Sequence, residues 1–255
     1  MSDPALDLAN LPLDYEGFRK LATDKRLGPH EKIGFPPAYR EGFEAAILAD
    51  ILAKLPALTC EEGLRVVDIG PGCAGLPRLL IDLCRDRGHT ILLIDSPEML
   101  ALLPDTPGVT IRCPGLYPKN VGEALSRLGG PADAILCYSV LHYIYLDSNL
   151  FDFVDATVAM LAPAGRALIG DIPNHSKRRR FFATKRGQAF HRAFTGSDQP
   201  YEVAYETPTP GKIDDAVLTG LVQRAQAAGC DAYLLPQGAD LPMANRRDDL
   251  LLVRP

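Results

Sequence analysis

Val66-Val67-Asp68-Ile69-Gly70-Pro71-Gly72-Cys73-Ala74-Gly75, followed downstream by Ile94-Asp95, is the stretch on which the fold of this chain turns. An apolar run ends on an acid, turns through glycines and opens a helical pattern at Leu76. Glycines there let the backbone come close to a ligand, and the start of the helix presents free N–H groups to polar or anionic atoms. An acid ending the next strand, here Asp95, accepts hydrogen bonds from ribose hydroxyls in sites of this kind. The pattern points to an adenosine-containing cofactor.

Two cofactors fit the glycines. Gly70, Gly72 and Gly75 satisfy G-x-G-x-x-G, and Asp95 follows the last of them by about 20 residues, the spacing of a dinucleotide site. Asp68, however, stands where a dinucleotide strand usually carries an apolar residue. The segment resembles motif I of the class I S-adenosylmethionine-dependent methyltransferases, an acid followed by G-x-G-x-G, with Ala74 in place of the third glycine. Asp95-Ser96-Pro97-Glu98-Met99-Leu100 is similar to the phrase that follows the second strand of that family. The resemblance covers residues 60–171 well and 213–255 loosely.

That resemblance implies S-adenosyl-L-methionine, with Asp95 on the ribose hydroxyls. Asp68, Gly70, Pro71 and Gly72 would then face the methionine half, and Ser96, Met99 and Tyr138 would join the cofactor site. Many relatives carry an acid after strand three that reads the adenine. This chain has Pro114-Gly115-Leu116-Tyr117 instead, which leaves backbone groups or Leu116 as the candidates there. NAD(P) stays open as the alternative cofactor.

Outward from this stretch, strands alternate with helices. Strands are expected at Arg65 to Ile69, Thr90 to Asp95, Val109 to Cys113, Ala132 to Tyr138 and Arg166 to Asp171. Helical spacing of apolar residues marks Arg40 to Leu55, Leu76 to Arg87, Pro97 to Leu103, Val121 to Leu128 and Phe151 to Leu161. A late helix, Ile213 to Ala228, precedes strands near Ala232–Leu235 and Leu250–Val253. Such alternation predicts an α/β, Rossmann-like, mostly parallel sheet with helices on both faces. The methyltransferase resemblance adds an antiparallel hairpin that completes seven strands. Residues 1–60 read as an N-terminal helical extension, and 61–255 as the methyltransferase domain, interrupted after strand five by a basic insertion at 172–212.

Composition narrows the partners. With 255 residues and 47% hydrophobic content, the chain can bury one sizeable core. A net charge of −5 weighs against nucleic acid, whose binders usually carry a basic surface. Six cysteines without C-x-x-C pairs read as reduced thiols of a cytoplasmic protein, with no metal site. Met1-Ser2-Asp3-Pro4 lacks the basic and hydrophobic regions of a signal peptide, and no apolar run has membrane-spanning length. The expected partner is a small-molecule acceptor, with room left for a homodimer.

The chemistry is expected at strand ends. Cys137-Tyr138-Ser139-Val140-Leu141-His142-Tyr143 closes strand four at the edge where open α/β sheets meet ligands. His142 is the candidate general base, removing a proton from a hydroxyl as its oxygen attacks the methyl group, and Tyr143 is a substrate contact. Asp171 at the end of strand five and His175 after it are further pocket candidates, with Asp171 expected to be catalytic beside His142. Ser176-Lys177-Arg178-Arg179-Arg180-Phe181-Phe182 opens the insertion. A basic run is commonly a solvated face. Placed directly after Asp171 in an acidic chain, Arg178, Arg179 and Arg180 are expected to bind a phosphate or carboxylate.

Further phrases resemble methyltransferases of bacterial surface-polysaccharide and modified-sugar pathways: Glu31-Lys32-Ile33-Gly34-Phe35-Pro36, Tyr39-Arg40-Glu41-Gly42, Gly170-Asp171-Ile172-Pro173-Asn174 and Leu241-Pro242 with Asn245-Arg246. They imply O-methylation of a phosphorylated or carboxylated sugar or a nucleotide-sugar, and a lid formed over the cofactor by His30 to Arg40. The rival readings are an NAD(P) oxidoreductase, an RNA methyltransferase, and a non-catalytic S-adenosylmethionine-binding subunit.

Overall fold

The computed structural model describes residues 11–35, 40–205 and 211–255. Residues 36–39 of the expected lid and the Met1-Ser2-Asp3-Pro4 terminus lie outside the described residues. Four helices lead in: α1 (Tyr15–Thr23), α2 (Pro29–Lys32), α3 (Glu44–Lys54) and α4 (Ala57–Cys60). The alternating part runs β1 (Arg65–Ile69), α5 (Gly75–Asp86), β2 (Thr90–Asp95), α6 (Pro97–Leu100), β3 (Thr110–Pro114) and α7 (Val121–Leu128). It continues through β4 (Ala132–Tyr138), α8 (Leu141–Asp147), α9 (Leu150–Met160) and β5 (Leu161–Pro173). The insertion holds α10 (His175–Phe182) and α11 (Lys185–Thr195), and the chain closes with α12 (Asp215–Ala227), β6 (Asp231–Pro236) and β7 (Arg247–Val253).

The strands form one seven-stranded sheet in the order β3-β2-β1-β4-β5-β7-β6. β1 to β5 run parallel, and β7 enters antiparallel between β5 and β6. An all-parallel dinucleotide fold instead orders its strands 3-2-1-4-5-6. The antiparallel β7 therefore separates this sheet from that of the NAD(P) reading and matches the expected seven-stranded α/β class.

Successive side chains of a strand point to opposite faces. Val67 and Ile69 join the core beneath α7, α9 and α12, whereas Val66 joins the core beneath α3 and α5. Helices on both sides explain why β1, β2 and β4 read as near-continuous apolar runs. Ile47 and Ile51 of α3 share that second core with Leu80 and Ile81 of α5, so the N-terminal helices pack on the sheet itself. No helix among the described residues is long and apolar enough to cross a membrane.

Three local features go beyond the sequence pattern or differ from it. Leu141-His142-Tyr143-Ile144 follows strand four as a helix, α8, which the aromatic and β-branched composition concealed. The insertion is helical too: Asn174 and Thr184 cap α10 and α11 by accepting the N–H groups of Lys177 and Gly187. Strand five begins earlier and ends later than expected, and it carries a register shift against β7 between Ile169 and Ile172.

Candidate functional site

Two cavities open at the carboxyl ends of the central strands. The first lies over the β1–α5 turn. Gly70 and Gly72 sit at φ +68 and +66, a region that L-residues other than glycine rarely adopt. A Cβ on Gly70 would meet Val140 Cγ2 at 2.7 Å, and one on Gly72 would meet Ile33 Cγ2 at 2.6 Å. The turn is thus closed to any side chain. Gly70→Ala is expected to cost about 2 kcal/mol or more in stability, from the left-handed backbone and the overpacking together. Urea unfolding measures it, and a loss under 0.5 kcal/mol (roughly the noise of surface substitutions) would contradict the close approach.

Asp95 lies at the mouth of the turn. Its Oδ2 accepts the Gly72 N–H at 3.1 Å and its Oδ1 accepts the Ser96 N–H at 2.7 Å. Burial raises its carboxyl to about 6 against the lowering effect of those two N–H groups. Pro71, Met99, Leu116 and Tyr138 line the same cavity. Asp68 and Ser96 do not. Asp68 is buried in the sheet beneath the turn, where desolvation and the nearby Asp95 push it up to about 8. Ser96 instead caps α6 by accepting the Met99 N–H at 3.2 Å.

The N-terminal helices supply walls that the residue-level reading missed. Tyr15 and Phe18 of α1 face the cavity, as do Ile33 and Phe35 of the expected lid. His30 Nε2 lies 2.8 Å from Glu44 Oε1, and both line the cavity. Residue type alone carried no signal for this pair, because its members meet only when α2 folds back on α3.

The second cavity, of about 720 Å³, adjoins the first and shares Phe35 and Tyr143 with it. His142 and His175 line it. His142 Nδ1 is buried with no hydrogen-bond partner among the described residues. Burial, with Arg247 next, pushes the His142 imidazole down to about 3, so the ring is neutral near pH 7. Of the three expected arginines only Arg178 lines the cavity. Arg179 donates to the Tyr205 carbonyl at 3.4 Å, and Arg180 pairs with Asp215 outside it. Lys212 at the end of the insertion, Arg246 just before β7 and Arg247 at its start stand in their place.

Asp171 lines neither cavity. At φ +55 in the β5 register shift, its side chain turns into the protein and is 2% exposed. Its Oδ2 accepts Arg40 Nη2 at 2.7 Å and the Ser139 hydroxyl. Its carbonyl accepts Arg247 Nη1 at 2.9 Å, and its N–H donates to Asp249 Oδ1 at 2.8 Å. Arg40 lines the first cavity and Arg247 the second, so Asp171 lies between two guanidinium groups that face different spaces. Asp171 thus lies away from both cavities, where the sequence reading expected a catalytic group.

No family model matches this chain, and no curated protein matches it. Solved structures do resemble it. The plantazolicin methyltransferase BamL, solved with a triazolic desmethylPZN analog and SAH, superposes with a TM-score of 0.55 at 13% identity over 94% of this chain and 96% of its own. An O-methyltransferase family protein from Burkholderia thailandensis gives 0.52 at 16% identity over 94% of this chain. This chain spans 63% of the length of that protein. At such identities the likeness establishes the Rossmann-like methyltransferase fold.

Proposed function

We propose that this chain is an S-adenosylmethionine-dependent methyltransferase acting on a hydroxyl oxygen of a polar or anionic small molecule. The observation that carries this reading is the contact of the two cavities at Phe35 and Tyr143. The glycine turn and Asp95 line one, and the unpartnered His142 Nδ1 lines the other. The residues of the first cavity fit the cofactor. Asp95 is placed for ribose hydroxyls, Met99 and Leu116 form an apolar slot for the adenine, and the side-chain-free turn admits close backbone approach. Arg40 Nε is buried without a partner among the described residues and would donate to the carboxylate of the methionine half.

When bound, the cofactor supplies an electrophilic methyl group on its sulfonium and leaves as a neutral thioether. His142 accepts the proton that the acceptor hydroxyl loses as the O–C bond forms. Tyr143, packed edge-on against Phe18 at 4.8 Å between ring centroids, seals the passage between the cavities from water. His30, Ile33, Phe35 and Arg40 would act as part of a lid over the cofactor, and Arg178, Phe182 and Tyr201 of the insertion would furnish acceptor-side walls. The sequence phrases point to a sugar or nucleotide-sugar acceptor, and the cations of the second cavity support the anionic part of that reading. The buried cysteines suit a reduced, cytoplasmic setting.

The test is parallel calorimetric titration with S-adenosylhomocysteine, S-adenosylmethionine and NAD(P). Micromolar binding of the sulfur nucleosides alone, lost in Asp95→Ala, is the expected result. Binding of NAD(P) alone, or of nothing, overturns the reading. Ribose hydroxyls donate to the ionised Asp95, so affinity is expected to fall as pH drops through about 6. The loss approaches tenfold for each pH unit below that value. Asp95→Asn should flatten this dependence.

A further inference from the structure

The wall of the second cavity has a one-sided chemistry. Arg178, Lys212, Arg246 and Arg247 line it, and no aspartate or glutamate does so among the described residues. Asn174, the side-chain amide in the wall, is already committed. Its NH2 donates to Asp215 and Asp248 at 2.7 and 2.8 Å, and its oxygen accepts the Lys177 N–H. The wall therefore offers cationic hydrogen-bond donors and, among the described residues, no carboxylate acceptor. A polyhydroxylated ring needs acceptors for its many O–H groups, and unpaired hydroxyls are costly to bury.

Aromatic rings line part of the same wall. Phe182 and Tyr201 stack with centroids 4.3 Å apart at 19°, and Arg178 lies over both rings at 5.7 and 5.6 Å. Arg246 lies over the Phe190 ring at 5.3 Å. Cations held against ring faces present an anion-binding edge directly beside a flat apolar surface. At the rim, Leu146 and Phe194 are each 63% exposed, a large apolar area to leave in water beside a pocket. An acceptor with an apolar body would cover them.

Resting on the methyltransferase reading above, we infer that the acceptor is an acid carried on a planar ring. Its carboxylate or phosphate lies toward Arg178, Lys212 and Arg247, and its ring lies against Phe182, Tyr201 and Phe190. A hydroxyl on that molecule reaches His142 at the cofactor end. An aryl acid and a nucleoside phosphate share this chemistry; a bare sugar phosphate lacks the ring.

The test is calorimetry on the full chain, with and without saturating S-adenosylhomocysteine. The probes are 4-hydroxybenzoate, UDP, glucose 1-phosphate, and the neutral counterparts phenol and uridine. The expected result is that 4-hydroxybenzoate or UDP binds at least tenfold more tightly than glucose 1-phosphate and than its own neutral counterpart. Whichever binds identifies the source of the ring. Arg178→Gln and Tyr201→Ala should each weaken that probe by about tenfold, about 1.4 kcal/mol, with S-adenosylhomocysteine affinity unchanged as the check on folding. Equal or tighter binding of glucose 1-phosphate, no binding of either ring-bearing anion, or unchanged affinity in both variants overturns the inference. Failure of S-adenosylhomocysteine to bind the unmodified protein counts against the methyltransferase reading, and the probe titrations without it still decide this one.

Discussion

Asp171→Ala is expected to destabilise the protein by about 3–5 kcal/mol, the usual penalty for breaking a buried ion pair from one side. Arg40 is 7% exposed and its Nη2 donates to Asp171 at 2.7 Å, so removing the carboxylate leaves a guanidinium buried without its counter-charge. The same change leaves the Ser139 hydroxyl without its acceptor, removes one of the acceptors of Gln237 Nε2, and places alanine at φ +55. Asp171→Asn separates these effects, because asparagine tolerates that backbone and lacks only the charge. A comparable loss in Asp171→Asn assigns the penalty to the ion pair; a loss confined to alanine assigns it to the backbone. Equilibrium denaturation measures both.

The pH dependence of this cluster has a defined sign. Burial alone would raise the Asp171 carboxyl, but Arg247 and Arg40, with the Ser139 hydroxyl, hold it below the usual carboxylate range. A lowered folded pKa contributes stability that is fully present above the unfolded value, near 3.9. That contribution is lost as pH falls through the folded value. Asp68 acts in the opposite sense. Its folded carboxyl, raised to about 8 by burial, keeps a proton that the unfolded chain has already lost. Its contribution therefore declines as pH rises from about 4 to about 8.

His142→Gln is expected to lower kcat by about 10²–10⁴, the usual worth of a positioned general base, with S-adenosylhomocysteine affinity unchanged. Glutamine keeps a hydrogen-bonding end and much of the volume but cannot take the proton. The imidazole is neutral near pH 7 because burial, Arg247, Arg40 and Lys212 all disfavour its cation, against Asp171 alone. A base that remains unprotonated down to about pH 3 has no inflection near 6.5 to impose on the rate. The kcat profile of the unmodified protein should thus be level across neutral pH. Near-normal turnover in His142→Gln would remove the residue from the chemistry, and an inflection near 6.5 would place another histidine in its role.

Local pattern carried the frame of the molecule. Arg65–Ile69, Thr90–Asp95 and Ala132–Tyr138 are strands at the residues where the apolar runs stand, because a strand covered on both faces needs an unbroken apolar segment. The glycine turn and the acid at Asp95 were equally legible, since a left-handed turn between a strand and a helix admits little else. The glycine turn and Asp95 line the first cavity, and His142, just after β4 in the first turn of α8, lines the second. The insertion was legible in charge but not in shape. Its helices rest on two capping side chains rather than on an apolar period, and their rotation leaves Arg178 in the cavity while Arg179 and Arg180 turn away.

What residue types and spacing determined by themselves was the α/β alternation, the acid–glycine turn and the position of strand four, after which His142 follows. Each is set within a few residues by backbone sterics or by side-chain periodicity. Tertiary structure alone decided that Asp171 is a buried counter-ion, that Arg40 reaches it across 131 positions, and that Lys212, Arg246 and Arg247 replace the expected arginines beside Arg178. These are pairings of charges over long sequence separations. Coulombic partners are chosen by where the folded chain delivers them, and no local pattern encodes that delivery.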